Sequence, residues 1–274
     1  MIRYLLLWCC LMAGSVMAQT QGLKSMVVDG VQLEYLDLGQ GKHTLVIESG
    51  IGQGVAYWQP LVADLAQLAI RTIIYSRAGN GQSQAHADVS LASSNARLAK
   101  LLMSLGAQEN LLLVGHSYGG LHVRTFAATY RNRVKGLLLL DPSHERFDSE
   151  LFGYDAKWAK KDQAKLDSLM QGQPEWQHFQ DIYRKKMIHD QDIANKLPTV
   201  ILTSSKLNES DWWIGHSVAG KHIWRQLHQS LIRDNPNAMH LVTSQVGHHL
   251  PLEDKTLILN AINALLRLAA GHQA

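Results

Sequence analysis

Cysteine is almost absent from this 274-residue sequence, which contains only Cys9 and Cys10. Both lie within residues 1–18, where Arg3 precedes a short uncharged apolar stretch that ends at Ala18. This pattern predicts a secretory signal peptide cleaved after Ala18, because the stretch is shorter than the roughly 20 apolar residues of a membrane span. We therefore expect an exported mature chain, periplasmic or secreted, with no stable membrane span. Such a chain lacks cysteine, which excludes disulfides, thiolate catalysis and cysteine-based zinc sites.

An excess of charge of one sign is also missing. Lys and Arg number 26 and Asp and Glu number 23, for a net charge of +3, and neither sign forms a block or a stripe. This balance argues against nucleic acid as the main partner. Glycine (21) and proline (6) occur at ordinary frequencies, which excludes collagen-like and low-complexity chains. The length suffices for one large domain with a sizeable core.

Short apolar runs alternate with stretches of helical periodicity along most of the chain. This alternation predicts an α/β protein with a mostly parallel sheet and helices on both faces. Val31–Leu38 alternates in the manner of an edge strand. The other predicted strands are Thr44–Glu48, Arg71–Ser76, Leu111–Gly115, Val134–Leu140, Pro198–Thr203 and Met239–Thr243. The predicted helices are Tyr57–Leu68, Leu91–Leu105, Leu121–Tyr130, Val218–Arg233 and Lys255–Leu268.

Residues 143–196 differ in character from the rest of the chain. They are rich in Lys, Asp and Gln, helical in period and without strand-like runs. We predict that they form a helical cap insertion over the sheet. The core domain would then consist of residues 19–142 and 197–274.

The motif LLLVGHSYGG contains the pattern Gly-x-Ser-x-Gly, formed by Gly115, Ser117 and Gly119. It stands between a predicted buried strand and a predicted helix, where a sharp turn can present a serine at the helix N-terminus. A serine hydroxyl is a weak nucleophile that needs an adjacent base. The context predicts Ser117 as a catalytic nucleophile. The alternative is a glycine-rich turn with a helix-capping serine.

Fourteen histidines could supply the base, so their number alone identifies none of them. His248 lies in the loop between the last predicted strand and the last predicted helix. The chain order nucleophile, acid, histidine would end with a histidine in this loop. We therefore predict His248 as the general base, with His249 as the alternative. We expect His116 to support the turn around the serine.

The acid that orients the histidine has more than one candidate. Asp141 ends the strand GLLLLD, which directs its carboxylate to the catalytic edge of the sheet. Glu209 and Asp211 follow the strand PTVILT and also lie between Ser117 and His248 in the chain. We prefer Asp141, with Asp211 next, and the sequence leaves the choice open.

An oxyanion hole needs two backbone N–H groups directed at the developing negative charge. The first is predicted to be that of Tyr118, directly after the serine. The second is expected in the loop after the strand TLVIE, where Gly50 and Gly52 let the backbone approach a substrate. Ile51 is the better candidate there, and the alternative is an ordinary turn.

Four stretches resemble the α/β-hydrolase superfamily: VIESGIGQGVAYWQPLVADL, IIYSRAGNGQS, LLLVGHSYGGLHVRTFAATYRNRVKGLLLLDPSHE and VGHHLPLEDKTLILNAI. They look like the family's oxyanion loop, its Asp-Arg-x-Gly-x-Gly-x-Ser turn, its nucleophile elbow and its histidine loop. The resemblance implies the α/β-hydrolase fold with a helical cap, and a serine hydrolase that needs no metal or organic cofactor. Ser76 stands where the family usually has aspartate, although Arg77 is kept. We expect this departure to have structural consequences only.

Aromatic residues are frequent in and after the predicted cap: Phe152, Tyr154, Trp158, Trp176, Phe179, Tyr183, Trp212, Trp213 and Trp224. An apolar pocket with few polar groups would suit a small-molecule acyl or aryl ester. The alternative role of these residues is to pack the cap onto the core. The same triad could also cleave amides, peptides or lactones, and a non-catalytic ligand-binding protein of this fold is a further alternative. The sequence gives no prediction of oligomeric state.

Overall fold

A computed structural model of the chain describes residues 22–207 and 212–271. The predicted signal peptide and the alternative acids Glu209 and Asp211 lie outside these residues. The strands are β1 (Lys24–Val28), β2 (Val31–Leu38), β3 (Thr44–Glu48), β4 (Arg71–Tyr75), β5 (Leu111–His116), β6 (Val134–Leu140), β7 (Thr199–Ser204) and β8 (Ala238–Thr243). The helices are α1 (Gln59–Ala66), α2 (Leu91–Ser104), α3 (Gly119–Thr129), α4 (Phe147–Tyr154), α5 (Ala156–Leu169), α6 (Trp176–Lys185), α7 (Val218–Ser230), α8 (Leu250–Glu253) and α9 (Lys255–Gly271).

The strands form one sheet in the order β1-β2-β4-β3-β5-β6-β7-β8. The pairs from β4 to β8 are parallel, whereas β2 is antiparallel to both β1 and β4. The prediction that Val31–Leu38 is an edge strand is wrong, because Lys24–Val28 pairs along its outer side. That pairing leaves most of β2 buried.

The sheet is covered on both faces by helices. In β5, Leu111 and Leu113 belong to a core cluster that includes residues of α2 and α3. Their neighbours Leu112 and Val114 belong to a second cluster, which includes residues of α1 and α9. Because successive side chains of a strand point to opposite faces, a strand buried on both faces has a continuous apolar sequence. The fold is therefore α/β, with a mostly parallel sheet between two layers of helices.

Three helices, α4 to α6, lie between β6 and β7 and form a helical cap. Phe147 and Leu151 of α4 pack with Trp224 and Leu227 of α7. Residues of α6 pack with the first turn of α3. The cap therefore contacts the core beside the carboxyl ends of β5 and β6. In the described part of the chain no helix has the length and apolar character needed to cross a membrane.

Candidate active site

Ser117 occupies the sharp turn between β5 and α3 with a left-handed backbone, φ 52°. This conformation is uncommon for any residue but glycine, and it is found mostly where surrounding structure enforces it. The Ser117 N–H donates to the carbonyl of Leu140 in β6 (3.1 Å), and the Ser117 carbonyl accepts from Gly120 N–H (2.9 Å). The turn is thus fixed to the neighbouring strand on one side and to the helix on the other.

The two glycines of the motif are required by close backbone approaches. A Cβ atom on Gly119 would lie 2.4 Å from the carbonyl oxygen of Glu48 at the end of β3. A Cβ atom on Gly115 would lie 2.6 Å from the Gly119 carbonyl oxygen. Both distances are shorter than side chains tolerate, and the contacted atoms belong to backbone that cannot move aside. The pattern around Ser117 is therefore set by the contact between β3, β5 and the start of α3.

His248 and Asp141 are in direct contact, with 2.7 Å between His248 Nδ1 and Asp141 Oδ2. The other carboxylate oxygen, Oδ1, accepts hydrogen bonds from Ser204 N–H (2.9 Å) and from Trp224 Nε1–H (2.7 Å). Burial by itself would raise the pKa of Asp141, but its hydrogen bond and charge interaction with His248 hold the pKa well below its usual value. Asp141 is therefore an ionised acceptor with a fixed orientation toward the imidazole. Like Ser117, it has a left-handed backbone, φ 42°.

The two neighbouring histidines have other partners. His249, the alternative base, has its Nδ1 3.3 Å from the Tyr57 hydroxyl. His116 stacks on the Tyr57 ring at 5.3 Å, and its Nε2 lies 2.8 Å from the carbonyl oxygen of His248. Burial lowers the pKa of His116 to about 3. A neutral His116 that donates from Nε2 therefore supports the loop that carries His248, whereas the sequence analysis expected it to support the turn around the serine.

One cavity of about 120 Å³ is lined by Ser117, Asp141 and His248 together. Of the aromatic residues predicted from the sequence, Trp176, Phe179, Tyr183, Trp213 and Trp224 also line this cavity, whereas Tyr154 and Trp158 are exposed. Phe147 lines it as well and was missed, because its position in the cap does not follow from local sequence. The residues predicted as nucleophile, base and acid thus share one mainly apolar cavity beneath the cap.

Tyr118 directly follows Ser117, and Ile51 packs against the hydrophobic cluster that contains Tyr118. Among the described residues, no backbone acceptor is found for either N–H, so both are free to donate to a bound oxyanion. Tyr118 precedes α3, whose N-terminus favours negative charge. Its ring is fully buried against Phe179 at 5.1 Å, which fixes this residue beneath the cap.

Arg77 and Ser76 belong to the turn that departs from the family pattern. The Ser76 hydroxyl donates to Glu34 and accepts from Val55 N–H (2.9 Å), which gives the departure a structural role. Arg77 is buried and donates to Ser49 and Gly50 carbonyls of the loop that contains Ile51. It also binds Glu175 from the cap, a residue that sequence reasoning missed. No sequence signal marked that glutamate among the many charges of residues 143–196.

A metal-dependent arrangement is not apparent in these surroundings. Within residues 22–207 and 212–271, no three His, Cys, Asp or Glu side chains are grouped so that they could hold a metal ion. The polar side chains that line the cavity are those of Ser117, Asp141, Ser143, His216, Lys221 and His248, and the backbone N–H of Tyr118 follows the serine directly. Together these groups can activate a serine and stabilise an oxyanion.

Comparisons with known proteins agree with this architecture. Residues 43–223 match the family model described as alpha/beta hydrolase fold. The chain is 24% identical over 226 residues to the uncharacterized protein YqjL of Bacillus subtilis, covering 82% of this chain and 83% of that protein. It is 32% identical over 114 residues to a 2-hydroxy-6-oxononadienedioate/2-hydroxy-6-oxononatrienedioate hydrolase of Paraburkholderia phymatum, covering 40% of each chain. The solved structure of a thermophilic esterase from Thermogutta terrifontis superposes with a TM-score of 0.63 at 18% identity, covering 90% of this chain and 98% of that one. The chain therefore belongs to the alpha/beta hydrolase fold family.

Proposed function

We propose that this member of a hydrolase family cleaves carboxylic esters of small molecules through a serine acyl-enzyme. The observation that carries the proposal is the 2.7 Å contact between His248 and Asp141 in the wall of the cavity that Ser117 also lines. A histidine held in this way by a buried carboxylate is suited to act as a general base. Most of the exposed lining of the cavity is apolar, which suits an acyl group.

In the proposed mechanism, Nε2 of His248 takes the proton of the Ser117 hydroxyl as its oxygen attacks the ester carbonyl. Asp141 accepts a hydrogen bond from Nδ1–H and stays ionised, which holds the tautomer and stabilises the imidazolium that forms. The amides of Ile51 and Tyr118 donate to the oxyanion of the tetrahedral intermediate. His248 then gives its proton to the leaving alcohol. Water, activated by the same histidine, attacks the acyl-enzyme and releases the acid.

The cavity favours short acyl groups. Its volume of about 120 Å³ is smaller than the roughly 150 Å³ of an apolar cavity that holds one benzene molecule. We therefore expect para-nitrophenyl acetate and butyrate to be hydrolysed faster than the laurate and palmitate esters, with at least a tenfold difference in kcat/KM. A steady-state series from acetate to palmitate, run on the mature protein from Gln19, measures this difference.

The Ser117→Ala variant is the control for this series, because it removes the nucleophile and little volume. It should be folded and show no turnover above background. Labelling of the wild-type protein by a fluorophosphonate probe shows whether the serine is activated, whichever bond the enzyme cleaves. A labelled protein without ester turnover would contradict ester specificity and favour the amide, peptide or lactone alternatives. A protein with neither labelling nor turnover would overturn the serine-hydrolase proposal in favour of a binding protein.

We further propose that the protein acts outside the cytoplasm, a proposal that rests on the sequence of residues 1–18 alone. Expression of the full-length chain, followed by mass spectrometry of its N-terminus, tests this. A chain that begins at Gln19 in the exported fraction is the expected result. An intact Met1 in the cytoplasmic fraction would contradict it.

A further inference from the structure

Arg77 is the centre of a buried ion cluster that joins the cap to the core. Its Nε and Nη2 donate to the two oxygens of Glu175 (2.5 and 2.8 Å), in the segment that leads into α6. Its Nη1 donates to Glu48 (2.8 Å) at the end of β3. Glu48 and Glu175 are each 1% exposed and Arg77 is 3% exposed. The ions are therefore shielded from solvent and from salt, and their geometry is the main determinant of their interaction.

The same guanidinium also binds the loop that contains Ile51. Nη1 donates to the Ser49 carbonyl (2.7 Å) and Nη2 to the Gly50 carbonyl (3.0 Å). These two contacts and the three with carboxylates occupy the five N–H donors of an arginine. The guanidinium also lies 5.4 Å from the ring of Tyr118, the other proposed oxyanion donor. Arg77 therefore binds the loop that contains Ile51 and also lies over the ring of Tyr118.

The cap segment Gln173–Glu175 lies directly against this loop. A Cβ atom on Gly52 would be 2.6 Å from Oε1 of Gln173. The Gly52 N–H points to Oε2 of Glu175 at 3.5 Å. The next residue of the segment, Trp176, lines the active-site cavity. The cap therefore contacts the loop that contains Ile51 in two ways, by direct packing and through the hydrogen bonds of Arg77.

We propose that Glu175 is a positioning residue that holds the Ile51 amide in place through Arg77 and so couples cap docking to stabilisation of the oxyanion. The role rests on the proposed serine-hydrolase function. Glu175 accepts from two of the five N–H donors of Arg77, on Nε and Nη2, whereas Glu48 accepts from one. The bidentate contact of Glu175 fixes the plane of the guanidinium. This plane sets the direction of the two N–H groups that donate to the Ser49 and Gly50 carbonyls.

The test compares Glu175→Gln with Glu145→Gln. Glu145 is a matched control, because it is another cap carboxylate bound to a buried arginine, Arg124 (2.9 Å), which keeps Asp190 as a second partner. A displacement of about 1 Å at a reacting group costs on the order of a hundredfold in rate. We expect Glu175→Gln to lower kcat for para-nitrophenyl acetate about 10- to 100-fold with KM nearly unchanged. Glu145→Gln should leave kcat within about twofold of wild type.

Hydrogen exchange of the peptide that contains Gly50–Gln53 reports on the loop independently of chemistry. Faster exchange there in Glu175→Gln, but not in Glu145→Gln, supports the proposal, as does slower fluorophosphonate labelling. Unchanged exchange and unchanged labelling in Glu175→Gln would overturn it. A wild-type protein that does not react at all would overturn the proposed function, while the exchange data would still decide the role of Glu175. If Glu175→Gln does not fold, Glu175→Asp, which keeps the charge and withdraws the carboxylate, is measured in the same way.

Discussion

We expect the Asp141→Asn substitution to lower kcat for ester hydrolysis about ten-thousandfold. The reason lies in the partners of the carboxylate. Oδ1 accepts from both Ser204 N–H and Trp224 Nε1–H, so the amide oxygen of an asparagine must take that position. The amide NH₂ then faces His248 Nδ1, which must accept. The remaining proton moves to Nε2, and an Nε2 that carries a proton cannot accept the one from Ser117.

Steady-state kinetics with para-nitrophenyl acetate measures this loss, and fluorophosphonate labelling rates give a second reading of the same base. Asp211→Asn is the control, because Asp211 is the alternative acid in the sequence. It should keep wild-type kcat. A large loss in Asp211→Asn combined with activity in Asp141→Asn would assign the acid to Asp211. Urea unfolding of both variants separates a loss of base function from a loss of folded protein.

Acid unfolding between about pH 4 and 5.5 is the second large effect we expect. Among the residues that the structure describes, four histidines are buried: His116, His122, His144 and His228. Burial is the main cause that lowers their pKa values, to about 3 for His116 and His144, to about 4 for His228 and well below 6.5 for His122. The unfolded chain takes up these protons below about pH 6.5. The folded chain does not, so its stability is complete above that pH and falls as the pH decreases.

Each buried neutral histidine reduces the free energy of unfolding by about 1.4 kcal/mol per pH unit in this window. Four of them can remove most of the stability of an ordinary domain within about two pH units. A carboxylate adds a second loss at lower pH. Burial would raise the pKa of Glu145, but Arg124 lowers it to about 2, and the associated stability is lost as the pH falls from about 4.5 toward that value. Melting temperatures from pH 7.5 to 4 measure the loss that the histidines cause.

His122→Phe isolates one histidine. Both ring nitrogens of His122 are buried and have no hydrogen-bond partner among the described residues, so the substitution removes a titrating group without breaking a hydrogen bond. We expect the melting temperature of this variant to fall less steeply with decreasing pH than that of wild type. His222→Phe, at an exposed position of α7, should have the wild-type slope. Equal slopes in all three proteins would show that burial of His122 does not control the acid sensitivity.

The local sequence was enough to predict the strands whose run of apolar residues reflects burial on both faces of the sheet. Thr44–Glu48 and Val134–Leu140 have the predicted boundaries, because strands buried on both faces are continuously apolar. The structure also brings together Ser117, Asp141 and His248, which the sequence had marked by their places after strands or in the last loop.

The features that sequence reasoning missed depend on contacts between distant segments. The edge position assigned to Val31–Leu38 failed because Lys24–Val28 pairs with it. Glu175 is 98 residues from Arg77 in the chain, and its importance arises only when the cap is folded against the core. The position of Phe147 in the cavity also depends on a distant segment, because its ring packs against Trp224 of α7. Periodicity carries no information about such pairs.

The left-handed backbone at Ser117 and Asp141 sets a limit on how far this fold can be stabilised. Backbone of this kind costs on the order of 1–3 kcal/mol at each non-glycine position, and glycine would avoid most of that cost. At the end of β5, glycine in place of Ser117 would remove that cost together with the hydroxyl. At the end of β6 the balance differs, because Asp141 also accepts buried hydrogen bonds from Ser204 N–H and Trp224 Nε1–H, which glycine would leave unpaired. Efforts to make the protein more heat-resistant should leave these two positions unchanged and seek their gains in the outer helices and exposed loops.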